Sequence, residues 1–121
     1  QIMYVGSEEL MAQIWQNIIN NAIKFTPEGG KISVKLFRNE KNISAEIWDN
    51  GPSIAPDVKA KIFDKFYQGD RSRATEGNGL GLALVKRIIE LSEGSIEVEN
   101  DMKKGGVCFR ISLPYLIEDM M

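Results

Sequence analysis

The hydrophobic period changes once near the start of the chain, and that change limits the fold more than any other feature. From Ser7 to Phe25 apolar residues recur at helical spacing: Leu10, Met11, Ile14, Ile18, Ala22 and Phe25 form one stripe, widened by Trp15, Ile19 and Ile23. Ser7 followed by Glu8 and Glu9 reads as an N-cap with acids in the first turn. Thr26-Pro-Glu-Gly-Gly30 ends the helix. After it the period falls to two, in Lys31–Arg38 and again in Ile43–Asp49, with Asn39-Glu-Lys-Asn42 between them. This pattern predicts a helix followed by an antiparallel hairpin with one buried face.

The remainder extends the same alphabet. Pro56 suits the first turn of a short helix ending near Phe63 or Phe66. Residues 68 to 78 are polar, carry Gly69 and Gly77, and have no apolar period, so they read as a loop. A second amphipathic helix is expected from Leu80 to Ser92, with Leu82, Val85, Ile88 and Ile89 inward and Gly94 as its breaker. Two strands, Ser95–Glu99 and Val107–Leu113, follow around the Lys103-Lys-Gly-Gly106 turn. Helix, hairpin, two helices and two further strands predict a two-layer α/β (α+β) sandwich, with helices on one face of a mostly antiparallel sheet.

Composition narrows the function classes. With 121 residues, 43% hydrophobic and 26% charged, the sequence is that of one globular domain spanning 1–121. The formal net charge of −2 argues against generic nucleic-acid binding. No apolar run approaches the roughly 20 residues of a membrane helix, and the first residues lack the regions of a signal peptide. The single cysteine, Cys108, excludes an internal disulfide, suits a reducing compartment, and reads as a packed thiol in an alternating run. Histidine is absent altogether, which removes the commonest general base and any phosphohistidine acceptor from this sequence. Trp15 and Trp48 read as core or pocket-edge aromatics.

Three segments carry chemistry. Asn17, Asn21 and Lys24 share one side of the first helix, so two amide oxygens, hard ligands suited to Mg²⁺, and an ammonium suited to phosphate point to one place. A solvated helix face is the plain alternative. Asp49-Asn-Gly51 at a strand end is either a simple turn or a carboxylate able to accept from the exocyclic amine of adenine, with Gly51 permitting close backbone approach. Gly77-Asn-Gly-Leu-Gly-Leu82 opens a helix, where free N–H groups and the helix dipole form an anion site. It is neither the dinucleotide Gly-x-Gly-x-x-Gly nor a Walker loop.

Together these segments resemble the catalytic and ATP-binding domain of sensor histidine kinases of two-component systems. That domain has the Bergerat ATP-binding fold shared with gyrase, heat-shock chaperones and mismatch-repair ATPases. Asn17-Ile-Ile-Asn-Asn-Ala-Ile-Lys-Phe25-Thr-Pro is similar to the family's N box, and Asp49-Asn-Gly51 with Ile54 to its G1 box. Lys61-Ile-Phe-Asp-Lys-Phe66-Tyr is similar to its F box, and Gly77-Asn-Gly-Leu-Gly-Leu-Ala83 to its G2 box. The resemblance implies a mixed, mostly antiparallel sheet of about five strands with about three helices on one face. It implies that Asn21 ligates Mg²⁺ with help from Asn17, Lys24 meets phosphate, Phe25 lies against adenine, and Asp49 binds the adenine amine beside Gly51 and Ile54. Phe63 and Phe66 would anchor an ATP lid over about 67–78. Arg71 and Arg73 would reach the phosphates from that lid, unless they are simply solvated. Gly77, Asn78, Gly79, Leu80, Gly81 and Leu82 would cradle the phosphates.

One position separates subfamilies. Relatives that hydrolyse ATP or phosphorylate serine carry a glutamate four residues before the metal-binding asparagine, and here that position is Asn17. An amide takes no proton near neutral pH, which fits transfer to an imidazole nitrogen that is already a nucleophile. The implied activity is an ATP:protein-histidine phosphotransferase, catalytic half only. Its partners would be a dimerisation and phosphoacceptor domain of the same parent protein and a downstream response regulator, with no nucleic acid and no direct membrane contact. The domain would be cytoplasmic and monomeric in isolation. Ser53, Gln68 and Val107 depart from the family's glycine, arginine and Thr/Ser, and Ser92 replaces a frequent histidine. These departures leave an alternative, a degenerate regulatory module that binds nucleotide without transfer.

Overall fold

A computed structural model describes residues 8–64 and 81–114. The elements run α1 (Glu8–Phe25), β1 (Ile32–Arg38), β2 (Asn42–Asp49), α2 (Pro56–Lys61), α3 (Gly81–Leu91), β3 (Ser95–Asn100) and β4 (Val107–Pro114). The four strands form one sheet in the order β1-β2-β4-β3, and every pair is antiparallel. The α+β sandwich is therefore present, with four strands among the described residues rather than about five and no parallel pair among them.

The register explains the layering. On the helix-facing side β2 contributes Ile43, Ala45, Ile47 and Asp49, and β4 contributes Val107, Phe109, Ile111 and Leu113, all buried. Against them lie Ile14, Ile18 and Ala22 of α1 and Leu82, Val85, Ile88 and Ile89 of α3. Alternation in the strands and the 3.6-residue period in the helices thus meet in one core. On the opposite side, Lys35, Glu46, Arg110 and Glu97 occupy consecutive positions across the four strands. Arg110 Nε lies 2.9 Å from Glu46 Oε2. These pairs are partly solvent-exposed and contribute little each; alternating sign suits a face turned to solvent.

Several expectations shift. β1 has no buried face: Ile32, Val34, Leu36 and Phe37 are all exposed. The reason is placement, because α1 packs on β2 and α3, and α3 on β3, leaving β1 outside the main helix contacts. Ile23, at 57% exposure, does not widen the core stripe of α1, and Leu10, expected within that stripe, is exposed. Cys108 and Trp48 sit half-buried on the helix-free face, the indole Nε1 donating to the Gly105 carbonyl at 2.7 Å. The α2 helix stops at Lys61 and α3 runs from Gly81 to Leu91. Beyond α3 it is Glu93, not Gly94, that takes the left-handed turn, with φ of 64°. The expected N-cap residue Ser7 lies outside the described residues.

Candidate functional site

On β2, β3 and β4 the inner face of the sheet is apolar until its last row. There the cross-strand neighbours are Ile32, Asp49, Val107 and Asn100. Asp49 is fully buried, and its Oδ1 accepts the Gly51 N–H at 2.8 Å, closing an Asx turn at the end of β2. The turn is packed against two backbones. A Cβ on Gly51 would run into the Phe25 carbonyl oxygen at the end of α1, and one on Gly106 would run into the Asp49 carbonyl oxygen. Gly106 also has φ of 84°, a left-handed conformation that disfavours a side chain. The turn carrying it is tied by the Lys103 and Lys104 N–H groups donating to Asp101 Oδ1 at 2.9 and 3.0 Å. Those two bonds, Lys104's the larger, hold the Asp101 carboxyl below the ordinary aspartate range.

The helix side is built differently. Asn21 follows Ile14 and Ile18 on the core-facing stripe and is fully buried, so it is not part of a solvated polar face. Asn17, half-buried, donates its Nδ2 to the Gln13 carbonyl at 2.8 Å, which turns its amide oxygen away from the helix backbone. Lys24 is exposed and Phe25 half-buried at the last turn of α1. Thr26 closes that turn, its N and Oγ1 both donating to the Ala22 carbonyl at 3.0 and 2.6 Å. The structure thus brings Asn21, Phe25, Asp49 and Gly51 to one corner, where α1 ends over the end of β2. Ile54 is buried beside it.

Farther along the chain, Phe63 packs edge-on to Phe109 with centroids 6.2 Å apart, and Lys86 Nζ lies 5.6 Å from its ring. Phe63 is half-buried and packs against the edge of the core. Gly81 and the buried Leu82 open α3. The expected site residues Phe66, Arg71, Arg73, Gly77, Asn78, Gly79 and Leu80, with the expected lid over 67–78, lie outside the described residues. No group of three or more His, Cys, Asp or Glu side chains is clustered for a metal among the described residues. A cation here would rely on the amide oxygens of Asn17 and Asn21, which are hard donors of the type Mg²⁺ takes, with ligand and water oxygens completing its shell.

Three contributors were not legible in the motifs. Asn50 accepts the Lys31 N–H at 3.0 Å and ties the Asp49 turn to the start of β1. Gly106 approaches Asp49 from a turn nearly sixty positions downstream. Asn100 bonds the backbone of Ile54 at both of its polar atoms. An asparagine before a turn reads as turn chemistry, and nothing local distinguishes these roles from it.

The chain belongs to the histidine kinase-, DNA gyrase B- and HSP90-like ATPase family, whose model matches residues 6–117. Its likeness within that family is to sensor histidine kinases. It is 38% identical over 116 residues to the sensor-like histidine kinase SenX3 of Mycobacterium tuberculosis, covering 94% of this chain and 28% of that protein. Among solved structures, the mycobacterial sensor histidine kinase MprB superposes with a TM-score of 0.83 at 28% identity, covering 95% of this chain and 78% of the other. Full-length ShkA in complex with AMPPNP superposes with a TM-score of 0.80 at 31% identity, covering 95% and 23%. The chain thus spans about a quarter of the length of the curated relatives it matches. Among the described residues no helix is long and apolar enough to cross a membrane.

Proposed function

We propose that this chain is the ATP-binding catalytic domain of a sensor histidine kinase and passes the γ-phosphoryl of ATP to a histidine on another domain of its parent protein. The observation that carries this reading is the corner where buried Asp49 and Gly51 meet the last turn of α1, with Asn21 buried one turn earlier. A carboxylate held out of water at a strand end suits an amine donor such as adenine N6. Phe25 and Ile54 supply apolar area for the ring, and Lys24 supplies a charge for phosphate. Asn21, assisted by Asn17, would hold Mg²⁺, which neutralises phosphate charge when bound.

In the transfer, the bond between the γ-phosphorus and the β,γ-bridging oxygen breaks, a P–N bond to the imidazole forms, and ADP leaves. The chain has no histidine, so the acceptor is supplied from elsewhere. The neutral acceptor nitrogen needs no base, which matches an amide at Asn17. The chain's own part is positioning and charge stabilisation. The remaining expected contacts, Phe66, Arg71, Arg73 and Gly77–Leu82, belong to the same proposal, as do Phe63 and Gly81 as its lid and phosphate borders. The single domain would span 1–121 and work within the cytoplasm, with a response regulator downstream.

The test is reconstitution. The chain is mixed with Mg²⁺, γ-labelled ATP and the histidine-bearing domain of its parent protein. Acid-labile label on the acceptor that disappears with Asn21→Ala and with Asp49→Ala supports the kinase. ATP binding without transfer would instead support the regulatory module, and failure to bind adenine nucleotide at millimolar concentration would overturn both.

A further inference from the structure

The last row of the inner sheet face holds two polar side chains, Asp49 and Asn100, separated by the fully buried Val107. Two strand spacings put them roughly 10 Å apart. Between them in sequence, the segment from Gly51 to Ile62 buries two side chains, Ile54 near its start and Ile62 at its far end. The α2 helix between them buries none and has no side-chain N-cap bond. Asn100 supplies a further tether. Its Oδ1 accepts the Ile54 N–H at 2.8 Å and its Nδ2 donates to the Ile54 carbonyl at 2.9 Å. A primary amide that satisfies both backbone groups of one residue copies the pairing of a neighbouring strand. One position earlier, Glu99 accepts from Lys59 Nζ at 3.0 Å and ties α2 to the same strand end.

We infer that Asn100 is a positioning residue for nucleotide-base recognition: by clamping Ile54 it fixes the segment whose other end, Gly51, is bonded to Asp49. The inference rests on the proposed ATP site. The segment from Gly51 to Ile54 is only three peptide bonds long, so it is held at one end by the Asp49 carboxylate and at the other by the Asn100 amide. Freedom at Ile54 is transmitted to the carboxylate that reads the base, and to the apolar wall beside it. Ser53, exposed in the middle of this segment, lies between the two anchors, so the clamp also governs where its side chain stands. Phosphate and metal contacts on α1 are untouched by this clamp.

The experiment compares ATP, GTP and inorganic tripolyphosphate, each with Mg²⁺, by calorimetric titration of the 121-residue chain and of Asn100→Ala and Asn100→Asp. Losing two hydrogen bonds that order a base-binding segment predicts about tenfold weaker ATP binding for Asn100→Ala and a reduced preference for ATP over GTP. Tripolyphosphate binding stays within about twofold, since it lacks the base. Asn100→Asp keeps the acceptor for the Ile54 N–H but sets a carboxylate oxygen against the Ile54 carbonyl, so it too should weaken ATP binding and reduce the preference for ATP over GTP. It also keeps the question answerable if the alanine variant unfolds. An unchanged ATP/GTP ratio in folded variants, or equal losses for ATP and tripolyphosphate, would overturn the inference. Wild-type chain that binds no ATP overturns the proposed site itself, a separate outcome.

Discussion

Asp49 and Lys24 stand at the two ends of one candidate site, yet Asp49 is fully buried and Lys24 is exposed on the last turn of α1. Around Asp49 the fold supplies close contacts: the Phe25 carbonyl beside Gly51, the Gly106 turn against Asp49 itself, the Asn50 side chain bonded to the Lys31 N–H, and the Asn100 side chain bonded to Ile54. Lys24 stands exposed on the α1 surface, and Asn17 donates to the Gln13 carbonyl of the same helix. The difference teaches that the proposed base-reading end is enclosed by the fold, whereas the proposed phosphate end stands at its surface. A neutral, planar base rewards shape fixed in advance. A flexible polyanion with its cation is served by a mobile charge on a long stem.

The sharpest way to break this comparison is to add one methyl group at the organised end. Gly106→Ala combines a left-handed φ with a collision at the Asp49 carbonyl, and should destabilise by about 3–5 kcal/mol and abolish ATP binding. Gly105→Ala has a similar φ of 77° but open space around its Cβ, so it should cost only about 1 kcal/mol and leave binding intact. Thermal melts with ATP titration separate the two; equal effects would mean that backbone strain, not approach to Asp49, is what Gly106 relieves.

Next in size are the paired substitutions Asn21→Ala and Lys24→Ala. Asn21 is buried, so its loss should lower stability by about 1–3 kcal/mol and weaken Mg²⁺-dependent binding. Lys24→Ala should shift stability by less than about 0.5 kcal/mol while weakening ATP binding in a salt-dependent way. Urea melts and titrations at two salt concentrations decide the matter. A destabilised Lys24→Ala would show that the phosphate end is also part of the folded frame.

The smallest effect concerns a thiol one strand position from Val107. Burial, then the Glu46 charge, pushes the Cys108 thiol above the ordinary cysteine range. Its folded value is raised, so any stability from the neutral thiol is present below the unfolded value and fades as pH rises through the folded one. Alkylation by iodoacetamide near pH 8 should therefore be slower in the native chain than in urea, and the gap should narrow at higher pH. Equal rates would place Cys108 in water and loosen the end of β4.

Much of this was legible in the residues. The switch of period after Phe25 foretold α1 and the hairpin, and alternation in Val107–Leu113 foretold a strand with one buried side. The family was recognised through the resemblance of short motifs to its four boxes. What escaped depended on contacts between distant segments. Ile32, Val34 and Leu36 alternate as well as any buried strand does, yet the helices fall elsewhere. Asn17, Asn21 and Lys24 share a helical side, but only the packing of α1 decides that one is enclosed and another exposed. Asn100 and Gly106 looked like punctuation until the sheet register set them beside Ile54 and Asp49.

Amide hydrogen exchange on the chain with and without Mg²⁺ and ATP tests the claim of an organised base end most directly. The Gly51 and Ile54 amides, donating to Asp49 and Asn100, should already be protected in the free chain, with new protection on ATP addition concentrated around Asn17–Phe25. Gly51 and Ile54 amides that exchange at unprotected rates until ATP arrives would contradict it.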